Sequence, residues 1–324
     1  MTPLFDPRPW GTHDLSPIYS KKFNEKIGES WLTGDNCMVQ NGPLAGRSLS
    51  DLASEYGREL VGEAASDEFR FPLLAKFLFP HEKLSVQVHP DDDDARAIGQ
   101  PWGKTECWYV AHAEPGAELA LGLQAGITRA EFRQSIEEDR AEELLNWIKV
   151  KPGDMIYVAG GTVHTLGPGS IIVETQQQSD TTFRLYDYGR PRELHLKDGL
   201  RVIKEKVMSG KVKPQPFRKF GENGNMLRSL VASRYFVVEH FDLNAPHEFA
   251  TDRKANSSVQ ILVAIEGTAL LEGPGAASVS FSKGDAVVVP ASNQGFIVHP
   301  ERSVQFLKSY VPSGPVPEPE TISD

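Results

Sequence analysis

At 324 residues the chain is longer than one average core serves, so two units or one large layered β architecture are expected. Its 34 Lys+Arg against 44 Asp+Glu give a formal net charge of -10, which argues against wholesale binding to nucleic acid or an anionic membrane, so an anionic ligand needs a local basic pocket. Two cysteines, Cys37 and Cys107, are too few for a secreted disulfide framework, residues 1–10 lack a signal-peptide pattern, and no apolar run approaches the ~20 residues of a membrane helix, so a soluble cytoplasmic protein is expected.

In chain order, residues 48–61 place Leu49, Leu52, Ala53, Leu60 and Val61 at helix-compatible spacing. Runs rich in Val, Ile and aromatic residues follow at 84–88 and 107–111 and read as strands. Thr128-Arg129-Ala130-Glu131 has the form of a capping box and opens a charged run to Trp147, a surface helical excursion near 128–148 that includes Phe132, Ile136, Leu144, Leu145 and Ile148. Strand character returns at 155–158 and 171–175, after which Leu196, Leu200, Ile203 and Val207 lie near helical spacing. Residues 209–226, rich in Lys, Pro and Gly, read as a linker, and further strand candidates occupy 236–241, 260–265, 269–271 and 286–289. Short strands separated by Gly, Pro and Asp turns indicate a mainly β sandwich or barrel with few helices. The expected division is one unit over 1–208, the linker, and a second unit over 227–324.

An internal echo supports two related β units. Gly153-Asp154-Met155-Ile156-Tyr157-Val158 and Gly284-Asp285-Ala286-Val287-Val288-Val289 each run from a Gly-Asp turn into a short apolar strand. Carrying the same offset forward puts Gly295 where the first unit has His164, so the second unit is expected to lack metal ligands.

Gln87, His89, Glu106 and His164 are the residues that carry chemistry. Alternate residues on a strand share a face, so Gln87 and His89 point into one interior, with Ser85 on the same side. Glu106 from a second strand and His164 from a third complete a set of imidazole, carboxylate and amide donors that suits one divalent ion per chain, zinc first, with positions left for substrate. Taken alone, His89 beside Pro90 and four aspartates reads as a turn histidine; the joint occurrence of Gly103-Lys104-Thr105-Glu106 and Gly161-Thr162-Val163-His164 favours the metal. Cys107 alternates to the opposite face and reads as packing, and Asp91 to Asp94 read as a solvated acidic turn because they lack the Gly and terminal Glu of a calcium loop. His13, His81, His112, His195, His240, His247 and His299 read as structural or surface histidines.

The segments Ser85-Val86-Gln87-Val88-His89-Pro90-Asp91-Asp92, Gly103 to Tyr109, Gly161 to His164 and Glu174 to Tyr188 together resemble the type I phosphomannose isomerases, in their short bacterial form. The resemblance extends to Ile27 to Trp31, Phe71 to Lys76 and Leu194-His195, and covers most of residues 10 to 205. It implies a double cupin fold of two jelly-roll β-barrels, a zinc ion held by Gln87, His89, Glu106 and His164, interconversion of mannose 6-phosphate and fructose 6-phosphate, and a catalytic role for Arg184. Two departures are visible: Ala159 stands where the family often has Pro, and Thr165 where Ala usually follows the histidine.

Isomerisation of an aldose to a ketose moves a hydrogen between C1 and C2 through an enediolate whose charge needs stabilising. Arg184, permanently cationic and planar, suits that stabilisation. Lys104 suits orientation of the sugar or its phosphate, Ser85 a phosphate contact, and Glu174 the general base, with a metal-bound water or Lys104 as other bases. Arg190 and Arg192 offer a phosphate wall or, more simply, surface ion pairs. The expected partner is a small sugar phosphate, with the chain a monomer or homodimer. The alternatives are another metal cupin enzyme, an epimerase or oxygenase, or a non-catalytic sugar-phosphate-binding cupin.

Overall fold

A computed structural model describes residues 1–221, 223–250, 258–275 and 277–322. The Val-, Ile- and aromatic-rich runs pair into three antiparallel sheets. The first has eight strands in the spatial order Leu4–Asp14, Lys22–Trp31, Leu73–Leu78, Ser170–Gln177, Glu106–Ala113, Met155–Val158, Gly210–Val212 and Thr321–Ile322. The second has five: Phe183–Tyr186, Val86–Val88, His164–Leu166, Glu118–Leu123 and Leu145–Lys149.

Alternation along the strands explains how these two sheets pack. Trp108, Val110, Ile156 and Ile172 leave one face of the first sheet and meet Leu119, Leu121 and Leu166 of the second, while Cys107, Tyr109, Tyr157 and Val173 leave the other face and join Val238, Ile261 and Val263. The first sheet is therefore covered on both sides. Leu73–Leu78 and Ser170–Gln177 are buried at every position, so their polar residues, Lys76 and Glu174 among them, are buried with the apolar ones and neither strand shows alternation.

The third sheet runs Arg218–Phe220, Asn225–Ala232, Val237–Leu243, Gly295–Tyr310, Gln260–Glu272 and Val279–Ser282, with His247–Ala250 and Ala286–Val289 paired onto its long strands. Gly295–Tyr310 pairs with His247–Ala250 near its start and with Val237–Leu243 near its end, so one strand serves two layers around a core containing Phe241, Phe249, Phe281, Phe296 and Phe306. The architecture is the expected mainly β cupin architecture, with jelly-roll sheets and few helices.

Several expected elements differ in extent. The run to Trp147 is helical only over Arg129–Glu137, where the Thr128–Glu131 capping box forms. Asp139 then takes a positive φ of 60°, Ala141–Leu144 makes a short tight turn, and Leu145–Lys149 pairs as a strand with Glu118–Leu123. Trp147 and Ile148 gain more from sheet packing than from helix continuation. Residues 48–61 form two helices, Leu49–Tyr56 and Arg58–Val61, divided at Gly57. The third helix ends at Val202 rather than Val207, although Ile203 still enters the core. Residues 260–265 and 269–271 belong to one bulged strand, Gln260–Glu272. The segment 209–226 carries Gly210–Val212, Arg218–Phe220 and the start of Asn225–Ala232. Residue 222 of that segment, and residues 251–257, 276, 323 and 324 of the expected second unit, lie outside the described residues. Among the described residues no helix is long and apolar enough to cross a membrane.

Candidate metal centre and active site

The ligand set gathers where the two N-terminal sheets face each other. Gln87 and His164 are register partners on adjacent strands of the smaller sheet, and Glu106 begins a central strand of the larger one. His89 Nδ1 lies 3.0 Å from the carbonyl of Thr181 and His164 Nδ1 lies 2.9 Å from that of Thr162. A carbonyl only accepts, so each Nδ1 carries the proton and each Nε2 presents a lone pair. The two Nε2 atoms lie 3.6 Å and 3.4 Å from the oxygens of Glu106, and the three ligand atoms fall within 4.8 Å of one another.

Burial makes this arrangement costly unless something occupies its centre. Side-chain exposure is 2% for His89 and 1% for Glu106 and His164, and His89 Nε2 and both Glu106 oxygens have no hydrogen-bond partner among the described residues. A divalent cation satisfies all three at once, and the donor set fits it. Gln87 Nε2 donates 3.2 Å to His164 Nε2; the same amide turned over offers its oxygen as a fourth ligand. Burial holds both imidazoles in the neutral, ligating form, His89 well below the usual range and His164 down to about 3. Burial, then the nearby Glu174 carboxylate, pushes the Glu106 carboxyl upward against the pull of Lys104 and Lys76, so this position gains from an added positive charge.

A cavity of ≈ 490 Å³ opens beside these ligands, lined in part by Ser85, Gln87, Lys104, Glu174 and Arg184. All five were expected in the site from sequence. Lys104 Nζ stands 3.7 Å from Glu106 Oε2 and is 4% exposed. Ser85 Oγ lies 3.5 Å from Gln87 Oε1. Arg184 is the register partner of Gln87; its backbone N–H donates to His195 Nδ1, its Nη1 donates to the Glu193 carbonyl, and its buried Nε has no partner among the described residues.

Sequence reasoning missed the cavity wall opposite the ligands. Lys76 Nζ sits 3.1 Å from Glu174 Oε1 and 3.3 Å from Glu29 Oε2, because Glu174 and Lys76 are register partners on adjacent strands. Trp108 Nε1 donates to the other oxygen of Glu174, and Trp31 Nε1 and Arg8 Nε donate to Glu29. The readable signal was a lysine inside an otherwise apolar run, Leu73-Leu74-Ala75-Lys76-Phe77-Leu78. Arg8 and Arg192 also line the cavity, Arg8 paired with Asp6 and Glu29 and Arg192 with both oxygens of Asp187; Arg190 pairs with Asp187 and Glu82, so the expected ion pairs form at both Arg190 and Arg192.

Residues 16–135 match the family described as phosphomannose isomerase type I, catalytic domain, and residues 226–310 match mannose-6-phosphate isomerase, cupin domain. Mannose-6-phosphate isomerase ManA of Bacillus subtilis is 36% identical over 301 residues, 89% of this chain and 91% of that protein. The chain belongs to the type I phosphomannose isomerase family.

A mannose-6-phosphate isomerase of Streptococcus mutans is 41% identical over 60% of the chain and 64% of its own length. The crystal structure of the mannose 6-phosphate isomerase from Bacillus subtilis superposes with a TM-score of 0.83 at 33% identity, covering 95% of this chain and 98% of that one. A putative mannosephosphate isomerase from Archaeoglobus fulgidus, at 23% identity and a TM-score of 0.74, shares the fold. The two departures from the phosphomannose isomerase pattern have local uses. Ala159 keeps an N–H that proline lacks and donates it to Ser209 Oγ, and the Thr165 hydroxyl donates to the Leu84 carbonyl. Both bonds brace the turns that carry His164 and Ser85.

Proposed function

We propose that this chain interconverts mannose 6-phosphate and fructose 6-phosphate, using one zinc ion held by Gln87, His89, Glu106 and His164. The observation that carries the reading is the set of buried, unpartnered donor atoms at His89 and Glu106 directly beside a cavity rich in cations. A divalent ion at that position supplies Lewis-acid polarisation of the sugar oxygens.

The remaining roles belong to the chain. Arg184, whose buried Nε has no partner among the described residues while Nη1 is held by the Glu193 carbonyl, offers its guanidinium charge to the substrate oxygens at the cavity wall. Glu174 is the proton acceptor of the cavity, its carboxylate aimed by Lys76 and Trp108; it takes the C2 proton and returns it to C1. Lys104 donates to the sugar oxygens and orients them beside Glu106. Ser85, Arg8 and Arg192 hold the phosphate at the cavity wall, which provides the local basic pocket an acidic chain needs for an anionic substrate.

Residues 1–208 act in this reading as the metal-binding unit, joined through 209–226 to a cupin-like unit over 227–324 without metal ligands, consistent with Gly295 at the position of His164. Cys37 and Cys107 are buried free thiols, which supports a reducing cytoplasm. A coupled assay for fructose 6-phosphate formed from mannose 6-phosphate, with and without chelator and zinc replacement, tests the function. A folded, zinc-loaded protein without turnover refutes the isomerase and leaves a sugar-phosphate-binding cupin.

A further inference from the structure

The segment that carries Lys104 and Glu106 is fixed by a chain of polar contacts that ends in the C-terminal half of the protein. Gly103 N donates 2.9 Å to Asp92 Oδ1, and the same oxygen accepts from Gln177 Nε2 at 3.0 Å. Gln177 Oε1 in turn accepts from Thr105 N at 2.9 Å, and Gln177 N donates to the Thr105 carbonyl. Lys104 lies between these two anchored residues, and its own N–H donates to the Pro90 carbonyl. The approach is close enough that only glycine fits at 103: a Cβ there would sit 2.5 Å from the Asp91 carbonyl carbon.

The second oxygen of Asp92 is held from outside this unit. Tyr235, on the turn before Val237–Leu243, donates its hydroxyl to Asp92 Oδ2 at 2.9 Å, and Arg234 Nη2 reaches the same hydroxyl at 2.5 Å. A carboxylate that accepts on both oxygens has one orientation, and this one sets the backbone on both sides of Lys104. We propose that Tyr235 is a positioning residue for the isomerase site: acting through Asp92 and Gln177, it fixes the Gly103–Thr105 backbone and so the placement of Lys104 and Glu106. The C-terminal unit thereby takes part in the reaction without touching the substrate. This rests on the roles given above to Lys104 and Glu106.

The test uses the full-length, zinc-loaded protein with Tyr235→Phe, Asp92→Asn, Gln177→Met and the Tyr235→Phe/Asp92→Asn double variant. Removing one hydrogen bond to a charged acceptor is expected to lower kcat about five- to tenfold in Tyr235→Phe, with KM within about twofold of the parent. The double variant is expected to be no slower than Asp92→Asn alone, since the tyrosine acts only through that carboxylate. Gln177→Met, which breaks the relay on the other side of Asp92, is expected to reproduce the kcat loss. Zinc release to a chelator needs no turnover and is expected to accelerate several-fold in Tyr235→Phe because Glu106 is less firmly held. Parental kcat and parental zinc release in Tyr235→Phe overturn the relay, as does a double variant whose loss is the product of the two single losses. A parent protein without turnover counts against the isomerase reading, and zinc release then decides the relay.

Discussion

His89 Nε2 faces Glu106 Oε2 across 3.6 Å, and neither atom has a hydrogen-bond partner among the described residues. Two buried acceptors at that distance repel unless a cation or proton lies between them. Chelation should therefore take zinc from one per chain to near zero, abolish turnover and lower the melting temperature by several degrees, with zinc restoring all three. His164→Ala should lose the metal by elemental analysis; full metal content with full activity would remove His164 from the ligand set.

Arg184→Ala should separate chemistry from metal binding. Loss of a preorganised charge donor predicts a fall in kcat of about 10²–10³-fold, while zinc stays near one per chain. Arg184→Lys should recover little, because an ammonium lacks the planar set of N–H groups. Metal loss in either variant would reassign Arg184 to holding the centre together.

Lys76 is buried between Glu29 and Glu174, so Lys76→Met leaves two carboxylates facing each other without their cation. A cost of about 3–5 kcal/mol in denaturant unfolding is expected. Burial alone would raise the Glu29 carboxyl, but Lys76 and then Arg8 outweigh it and draw it to about 2. A carboxylate lowered on folding stabilises fully above its unfolded value of about 4.3 and loses that contribution as pH falls toward its folded value. Unfolding followed from pH 7 to pH 3 should show the parent losing stability below about pH 4.3, whereas Lys76→Met, whose unpaired carboxylates are relieved by protonation, loses less or regains some; equal acid losses would contradict the clamp.

His240 gives a second pH dependence of a different kind. It packs edge-on against Tyr109 and Phe217, and burial, followed by the Arg228 charge, lowers it to about 4. The unfolded chain therefore binds a proton near pH 6.5 that the folded chain refuses until near pH 4. Stability should fall over that interval, by roughly 2 kcal/mol between pH 7 and 4.5. His240→Phe keeps the ring and removes the titration, so its stability should be flatter over the same range in urea melts; an equal slope would assign the loss elsewhere.

The gathering of Gln87, His89, Glu106 and His164 was legible because strand alternation and the Gly-Lys-Thr-Glu and Gly-Thr-Val-His segments bring those side chains to one interior. Gln87, His89, Glu106 and His164 converge through strand pairing, Gln87 directly opposite His164. The opposite wall was not legible. Lys76 sits on a strand buried at every position and Glu29 in the buried second half of its strand, so neither shows the alternation that would have announced a polar face, and their partners are set by cross-strand register. Tyr235 was invisible for a related reason: its bond to Asp92 spans 143 positions, and no local pattern encodes that contact. Trp147 misled because a run of charges hid a strand whose partner, Glu118–Leu123, had not been recognised.

The first sheet has Leu4–Asp14 at one edge and Thr321–Ile322 at the other, the first and last strands among the described residues. These edge strands lie far apart in sequence, so the sheet is complete only when distant segments have met. The last edge closes the long loop between Lys211 and its register partner Ile322, which is slow, and until it occurs Gly210–Val212 offers unpaired backbone groups to other chains. Refolding yield should therefore depend on protein concentration more steeply than the final stability does.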